Sequence, residues 1–240
     1  MGTFDVVLTD FERTLVRLFE DPADEREFFE EVWAECKARG IPAWTRPAAG
    51  KSPYTLWKRA HRWMTMTGTD RLRVERMYHA VARIAVKHEM TAAESVHLFD
   101  DVLPVLERFQ QAEIQVVIVS NNSTEAVERV LKESNAEGLV DHVVGHHFKF
   151  DLYRNLKPKP NLLLEALKRS GHAAGRALLV GDSVDDMKAG RKANIGYRVG
   201  VLEHSTASSR RLHRAGAHRV VGRFGNLLRL VPGADVAGSR

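Results

Sequence analysis

The chain has 240 residues, of which 44% are hydrophobic, and its net charge is +5. This length suits one domain with an insertion or one large domain, and the hydrophobic fraction is high enough for a folded core, so a disordered chain is not expected. The single cysteine, Cys36, excludes an intrachain disulfide, and no membrane-spanning apolar run or signal-peptide layout is visible, so we expect a cytoplasmic protein without membrane attachment.

The first element is a short apolar run at residues 6–8, followed by the carboxylates of Asp10 and Glu12. An uninterrupted run of β-branched and apolar residues is typical of a buried parallel strand. Because ligands of open α/β sheets bind beyond the carboxyl ends of the strands, a carboxylate at this position is placed for chemistry. The alternative is an Asp that only caps the turn after the strand.

A block of helices follows this strand. Its apolar residues recur at three- and four-residue steps, and no strand pattern interrupts them. Asp24 is the expected N-cap of the first helix, and Thr91 with Glu94 resembles a capping box that starts a new helix. We predict helices at residues 24–39, 54–65 and 70–88, and a loop at 43–53.

Strands and helices alternate in the remaining sequence. Strands separated by helices of this length predict an α/β fold with a doubly wound parallel sheet that carries helices on both faces. Residues 233–240 are predicted to be a frayed tail. The predicted strands are 114–119, 139–144, 177–180, 195–199 and 218–221, and the helices are 101–111, 124–134, 160–170, 184–193, 206–215 and 226–231.

Polar side chains stand at four strand ends, which share one edge in a parallel sheet. We therefore expect a pocket that combines carboxylates, a lysine and a hydroxyl. Crowded carboxylates raise one another's pKa, and a hard cation such as Mg²⁺ relieves their repulsion. This combination indicates phosphoryl transfer through an aspartyl-phosphate. The residues are Asp10 and Glu12, Ser120 and Asn121, Lys157, and Asp182, Asp185 and Asp186.

The same residues resemble the motifs of the haloacid dehalogenase (HAD) superfamily. The resemblance covers residues 4–231 and implies a Rossmann-like core, residues 1–15 and 99–232, with an all-helical (C1-type) cap inserted at 16–98. The matching segments are Asp-Phe-Glu-Arg-Thr at 10–14, Ser120, Lys-Pro-Lys-Pro at 157–160 and Gly-Asp-Ser-Val-Asp-Asp at 181–186.

Carried onto this chain, the resemblance implies a phosphatase of a small phosphorylated metabolite, with Asp10 as the nucleophile. Asp185 is expected to be a solvated acid at a helix start. The implied Mg²⁺ ligands are Asp10, the backbone carbonyl of Glu12, Asp182 and Asp186. The implied phosphoryl-binding groups are Ser120, the backbone N–H of Asn121 and Lys157, with Arg13 nearby and Thr14 orienting the first loop.

The departure from the family pattern is Glu12, where phosphatases of the family carry an Asp that acts as general acid/base. Glu retains the carboxyl one methylene further out, and Arg13 replaces the usual Gly, so the loop is expected to differ. We hypothesise that Glu12 is the acid/base. Two alternatives stay open: a degenerate member that binds a phosphorylated ligand or partner without efficient turnover, and a hydrolase of C–P or C–halogen bonds.

The cap segment is basic. Residues 43–90 contain ten Lys and Arg but three acids, a charge of +7, which leaves −2 for the remaining chain. Such a segment can attract an anionic substrate or form a solvated helix face. One hypothesis is that residues 51–62, with Lys51, Lys58 and Arg59, line the entrance and bind the non-reacting part of the substrate.

The alternative for this segment is that its bases face solvent and its aromatic residues form a core. No recognition motif accompanies the positive charge, so no nucleic-acid partner is expected. A monomer and a homodimer both stay open. The aromatic residues concerned are Trp33, Trp44, Tyr54, Trp57 and Trp63.

Overall fold

The computed structural model describes residues 4–48, 52–146 and 155–230. A six-stranded sheet lies at its centre, and every strand pair in it is parallel. The strands are β1 Val6–Thr9, β2 Gln115–Ser123, β3 His142–His146, β4 Ala177–Gly181, β5 Tyr197–Val201 and β6 Arg219–Val221. Their order across the sheet is β3-β2-β1-β4-β5-β6, which places β1 between the two halves.

Helices precede and follow these strands. None of the helices within the described ranges is long and apolar enough to cross a bilayer. The α-helices are α1 Pro22–Ala38, α2 Pro53–Met66, α3 Arg71–Ala92, α4 Val102–Gln111, α5 Thr124–Glu133, α6 Asn161–Ser170, α7 Val184–Lys192 and α8 Ser209–Ala215, and short 3-10 helices occupy Ala43–Thr45, Glu137–Leu139, Ala174–Arg176 and Phe224–Leu230.

Both faces of the sheet are covered, which explains why all four residues of β1 are buried and three of them are apolar. Val6 and Leu8 point to one face and pack in a cluster with Leu163 of α6. Val7 points to the other face and packs in a cluster with Phe109 of α4. A strand buried on both sides has no position for a solvated residue. The predicted doubly wound α/β class is confirmed.

The helices α1, α2 and α3 form a second apolar core of their own. Phe28, Trp57 and Met77, one from each helix, are almost completely buried there. Trp33 is also buried in this core, whereas Trp44 is 72% exposed. Most of the aromatic residues of this segment therefore stabilise the cap helices. The boundaries predicted for the cap, residues 16–98, stay a prediction.

The first cap helix begins earlier than predicted. Asp21, not Asp24, is its N-cap, because the Asp21 carboxylate accepts a hydrogen bond from the N–H of Ala23 at 2.7 Å. Pro22 follows at the first helical position, where its fixed φ and missing N–H carry no cost. The prediction for Asp24 is wrong because two acids stand close together and either could cap.

The third cap helix is longer than predicted, and the capping box at Thr91 is wrong. α3 continues to Ala92 without a break. The hydroxyl of Thr91 donates to the carbonyl of Lys87 at 3.1 Å, so it binds within the helix and caps nothing. The extension places Glu89 inside the helix, next to the sheet.

Two C-terminal helices also differ from the prediction, one in its first residue and the other in its helix type. α8 begins at Ser209, where we predicted residue 206, and the last predicted helix is the 3-10 helix Phe224–Leu230. The predicted frayed tail, 233–240, lies outside the described residues.

A pair of tryptophan variants tests the separate core of the cap. Trp57→Ala removes a side chain with no exposed surface, so we expect unfolding free energy to fall by about 3–5 kcal/mol. Trp44→Ala, at a 72% exposed position, is the control and should change it by less than about 0.5 kcal/mol. Urea denaturation followed by circular dichroism measures both. Equal losses would contradict the packing described.

Candidate active site

The ends of β1 and β4 bring three carboxylates together. Asp10 follows β1, Asp182 follows β4, and Asp186 lies in the first turn of α7. The two strands are paired neighbours, so these ends share one edge of the sheet. Oxygens of the three carboxylates lie within 4.8 Å of one another, and all three residues are buried. An all-oxygen set of this kind is what Mg²⁺ prefers.

The crowding of negative charge is visible in the pKa values. Burial, together with the charges of Asp10 and Asp186, raises the pKa of Asp182 to about 9. Burial and the charge of Asp186 raise the pKa of Asp10 to about 6, although Lys157 acts in the opposite direction. A divalent cation would let all three carboxylates ionise together, so the residues present fit Mg²⁺.

Lys157 is the buried cation of this cluster. Its Nζ lies 2.5 Å from Oδ1 of Asp10 and 2.6 Å from Oδ1 of Asp186, and it donates to the carbonyl of Val119 at 2.8 Å. Burial alone would lower the pKa of Lys157, but the two carboxylates outweigh burial and raise it. The ammonium therefore stays charged next to the Asp10 carboxylate.

Ser120 and Asn121 lie at the end of β2, on the same side of the sheet. The Ser120 hydroxyl is buried and donates to Oδ1 of Asn122 at 3.0 Å. The side chain of Asn121 accepts the N–H of Lys157 at 2.9 Å and so connects the two segments. Thr14 donates to Oδ2 of Asp10 at 3.4 Å. These residues thus meet near the carboxylates.

Glu12 and Arg13 form the turn after β1. Oε2 of Glu12 accepts the N–H of Leu18 at 2.8 Å. Burial raises the pKa of Glu12 to about 7 despite this hydrogen bond. Arg13 has a φ of +62°, in the left-handed region that favours glycine. A glycine, which the family resemblance implies at this position, would adopt this φ without strain.

A cavity of about 410 Å³ lies above these residues, and the cap closes part of it. Phe28 and Tyr54 line it from the cap side, and Arg211 of α8 lines it from the core side. The core residues described above line the same cavity: Asp10, Glu12, Arg13, Ser120, Asn121, Asn122, Lys157, Asp182, Asp185 and Asp186.

Lys58 links the cap to the core inside this cavity. Its Nζ lies 3.0 Å from Oδ2 of Asp185 and donates to the carbonyl of Lys157 at 3.1 Å. Asp185 stands at the helix start as expected, and its side chain remains 39% exposed. Its contact with Lys58 was not predicted, because the sequence does not show how the cap docks over α7.

The other two predicted entrance residues differ from Lys58. Arg59 is exposed and is not among the residues that line the cavity. Successive residues of a helix point about 100° apart, so Lys58 and Arg59 do not face the same space. Lys51 lies outside the described residues.

The sequence analysis missed Glu89, which is fully buried between the cap and the sheet. It accepts hydrogen bonds from Nδ2 of Asn122 at 3.0 Å and the N–H of Ser123 at 2.7 Å. A signal was present: Ala85 and Val81 precede Glu89 by four and eight residues on the apolar face of α3. A carboxylate on such a face predicts a buried, partnered group.

The model of the haloacid dehalogenase-like hydrolase family matches residues 4–194. The chain belongs to this family. Two similar relatives are the phosphoglycolate phosphatases of Aliivibrio fischeri and Aquifex aeolicus, each 30% identical, over 124 and 95 residues. The matches cover 52% and 40% of this chain and 53% and 43% of the relatives. The chain thus spans about half the length of the curated relatives it matches.

Two solved structures have the same fold. A haloacid dehalogenase-like hydrolase from Bacteroides fragilis aligns with a TM-score of 0.65 at 20% identity, over 94% of this chain and 100% of that one. CbbY from Rhodobacter sphaeroides, in complex with phosphate, aligns with a TM-score of 0.61 at 17% identity, over 94% and 96%. This family member therefore has the fold that the resemblance implied.

Thermal unfolding with and without Mg²⁺ tests the carboxylate cluster. The raised pKa of Asp182 means that the metal-free fold loses stability as pH rises from the ordinary value of 3.8 towards about 9. Mg²⁺ should offset this loss, by about 2.7 kcal/mol at 100 times its Kd, and more strongly at high pH than at low pH.

The matched variants for this test are Asp182→Asn and Asp185→Asn. We expect Asp182→Asn to remove the rise in Tm with Mg²⁺, since it removes a charged ligand from the cluster. Asp185→Asn, three positions further on and outside the cluster, should retain it. Equal rises in both variants would contradict a metal site at Asp182.

Proposed function

We propose that this hydrolase is a Mg²⁺-dependent phosphatase that acts on a small phosphorylated metabolite through an aspartyl-phosphate on Asp10. The observation that carries the proposal is the 2.5 Å contact between Lys157 and Asp10 beside the buried carboxylate cluster. A nucleophilic carboxylate, a cation site and a fixed ammonium are the groups that phosphoryl transfer needs. The names of the curated relatives support the same reaction class.

The residues that would hold Mg²⁺ are Asp10, Asp182 and Asp186, with the backbone carbonyl of Glu12 as a further ligand. When bound, the ion supplies positive charge to the oxygens of the transferred group. Lys157 and Ser120 donate hydrogen bonds to the same oxygens, with the N–H of Asn121. Thr14 holds the Asp10 carboxylate in orientation through its 3.4 Å hydrogen bond.

The first step is the attack of an Asp10 carboxylate oxygen on phosphorus. The bond between phosphorus and the leaving oxygen breaks, and the carboxyl of Glu12 gives that oxygen its proton. The contact with Lys157 lowers the pKa of Asp10, which burial raises, and so favours the ionised nucleophile.

The second step is hydrolysis of the aspartyl-phosphate. The carboxylate of Glu12 takes a proton from water, the oxygen attacks phosphorus, and the Asp10–phosphorus bond breaks to release phosphate. A pKa of about 7 suits this double role, because Glu12 can then exist in both protonation states near neutral pH.

The substrate is expected to be small and to carry a second anionic group. The cavity of about 410 Å³ suits a small metabolite. Lys58, Arg13 and Arg211 line it in addition to Lys157. These additional cations favour a phosphorylated acid, and phosphoglycolate, the compound in the names of the relatives, is of this kind.

Phosphate release from para-nitrophenyl phosphate and phosphoglycolate, with and without Mg²⁺, tests the function. We expect Mg²⁺-dependent turnover, a loss of about 10²–10⁴-fold in kcat for Glu12→Gln, and partial retention for Glu12→Asp, because Gln has no ionisable carboxyl and Asp has one. Activity of Glu12→Gln equal to the parent would refute the role of Glu12, and no turnover of any phosphomonoester would refute the function.

A second pair of variants tests which cap residue binds the non-reacting part of the substrate. Lys58→Gln should raise KM for phosphoglycolate roughly tenfold, the effect of one lost charge-assisted hydrogen bond. It should leave KM for para-nitrophenyl phosphate nearly unchanged, since that substrate has no second anion. Arg59→Gln, the next residue on the same helix, is the control. Equal effects of the two substitutions would contradict the assignment of Lys58.

A further inference from the structure

Glu89 is a buried carboxylate that the proposed reaction does not use. It lies near the end of α3, at 0% exposure, where the cap meets the sheet. A charge without contact to water is stable only if other groups replace the lost hydration. The partners of Glu89 therefore indicate what it holds in place.

Those partners come from both the cap and the core. Oε1 accepts hydrogen bonds from the hydroxyl of Tyr54 on α2 and from Nδ2 of Asn122 on β2, the latter at 3.0 Å. Oε2 accepts the N–H of Ser123 at 2.7 Å and lies 3.4 Å from Nε2 of His146 on β3. Burial alone would raise the pKa of Glu89, but its partners outweigh burial and lower it.

The contact with Glu89 determines the orientation of the side-chain amide of Asn122. Nδ2 is a donor and must face the carboxylate, so Oδ1 faces the other side. There Oδ1 accepts the Ser120 hydroxyl at 3.0 Å, and the N–H of Asn122 donates to the same hydroxyl oxygen at 3.0 Å. The side-chain oxygen and the backbone N–H of Asn122 therefore both bind Ser120 Oγ, and Glu89 in turn binds Asn122.

We propose that Glu89 is a positioning residue for phosphoryl binding, which acts through Asn122 on the Ser120 hydroxyl and ties this turn to the cap through Tyr54. The inference rests on the proposed function, because it requires a phosphoryl group at Ser120. A bound phosphoryl oxygen replaces Asn122 Oδ1 as acceptor of the Ser120 proton. The N–H of Asn122 meanwhile keeps Oγ in place, and Glu89 fixes this backbone by accepting hydrogen bonds from Asn122 Nδ2 and from the N–H of Ser123.

The cap takes part in this arrangement as well. Tyr54 and Asn122 both line the cavity, and both donate to the same oxygen of Glu89. The carboxylate is thus shared between a cap side chain and the turn that carries Ser120. Loss of its charge should disturb phosphate binding without direct contact between Glu89 and the phosphate.

The test is a double-mutant cycle on the affinity for inorganic phosphate, measured by calorimetry with Mg²⁺ present. Its members are the parent, Glu89→Gln, Ser120→Ala and the double variant. Gln has one accepting oxygen where the carboxylate has two, so either Asn122 Nδ2 or the N–H of Ser123 loses its acceptor and the turn loses its fixed position. We expect Glu89→Gln to weaken phosphate binding roughly tenfold or more in the parent. In the Ser120→Ala background its effect should fall below about twofold.

Glu31→Gln is the matched control. Glu31 is a cap carboxylate that binds Lys87 and His88 and does not line the cavity. Its substitution should leave phosphate affinity unchanged. Thermal unfolding of all variants measures their fold stability. A merely structural Glu89 would lower the Tm, whereas a positioning role predicts a loss of phosphate affinity that depends on the presence of the Ser120 hydroxyl.

The outcomes distinguish this inference from the proposed function. A parent that does not bind phosphate would overturn both. If the parent binds phosphate and Glu89→Gln lowers the affinity equally with Ser120 and with Ala at position 120, only the role of Glu89 is overturned. If Glu89→Gln does not fold, Asn122→Ala replaces it, and the same background-dependent loss is expected; an equal loss in both backgrounds overturns the proposal.

Discussion

A single ammonium group, that of Lys157, is buried between the carboxylates of Asp10 and Asp186, and the proposed chemistry depends on this contact. Burying charges costs more free energy than an isolated pair recovers, so such a cluster is seldom kept for stability alone. Counting Asp182, three carboxylates and one ammonium leave two negative charges when all are ionised. A divalent cation balances them, which is why the cluster and Mg²⁺ suit each other.

The fold supports this cluster by topology. β1 lies between β2 and β4, so three neighbouring strands end around Asp10. The two halves of the sheet supply different groups: the β2 side carries the hydroxyl of Ser120, and the β4 side carries the carboxylates of Asp182 and Asp186. The cap adds Lys58 and Tyr54 from above. The site is therefore shared between two separately packed apolar cores.

Much of this could be predicted from the sequence, for a physical reason. Strand ends of a parallel sheet share one edge, so the apolar run before Asp10 and the one before Asp182 were enough to bring these two carboxylates together. The lengths of the helices between the strands indicated the doubly wound class. Lys157 was also predicted to stand at a strand end, but residues 147–154, between the end of β3 and Lys157, lie outside the described residues, so that placement stays a prediction.

What could not be predicted is the contact between cap and core. Lys58 and Arg59 are adjacent and alike in charge, and only the docking of α2 decides which one faces the cavity. Glu89 lies just beyond the predicted end of α3, because Thr91 and Glu94 match a capping box, although the Thr91 hydroxyl donates to the carbonyl of Lys87 within the helix. Helix faces and ends of this kind are decided by tertiary packing, which local patterns do not contain.

The central claim is that Asp10 carries the phosphoryl group between the two steps. Acid quenching during turnover of phosphoglycolate, followed by mass spectrometry of the peptide that contains Asp10, measures this directly. The account predicts a phosphorylated Asp10 in the parent and neither the modification nor turnover in Asp10→Asn. Turnover by Asp10→Asn at the parent's rate, or a phosphoryl group on another residue, would contradict it.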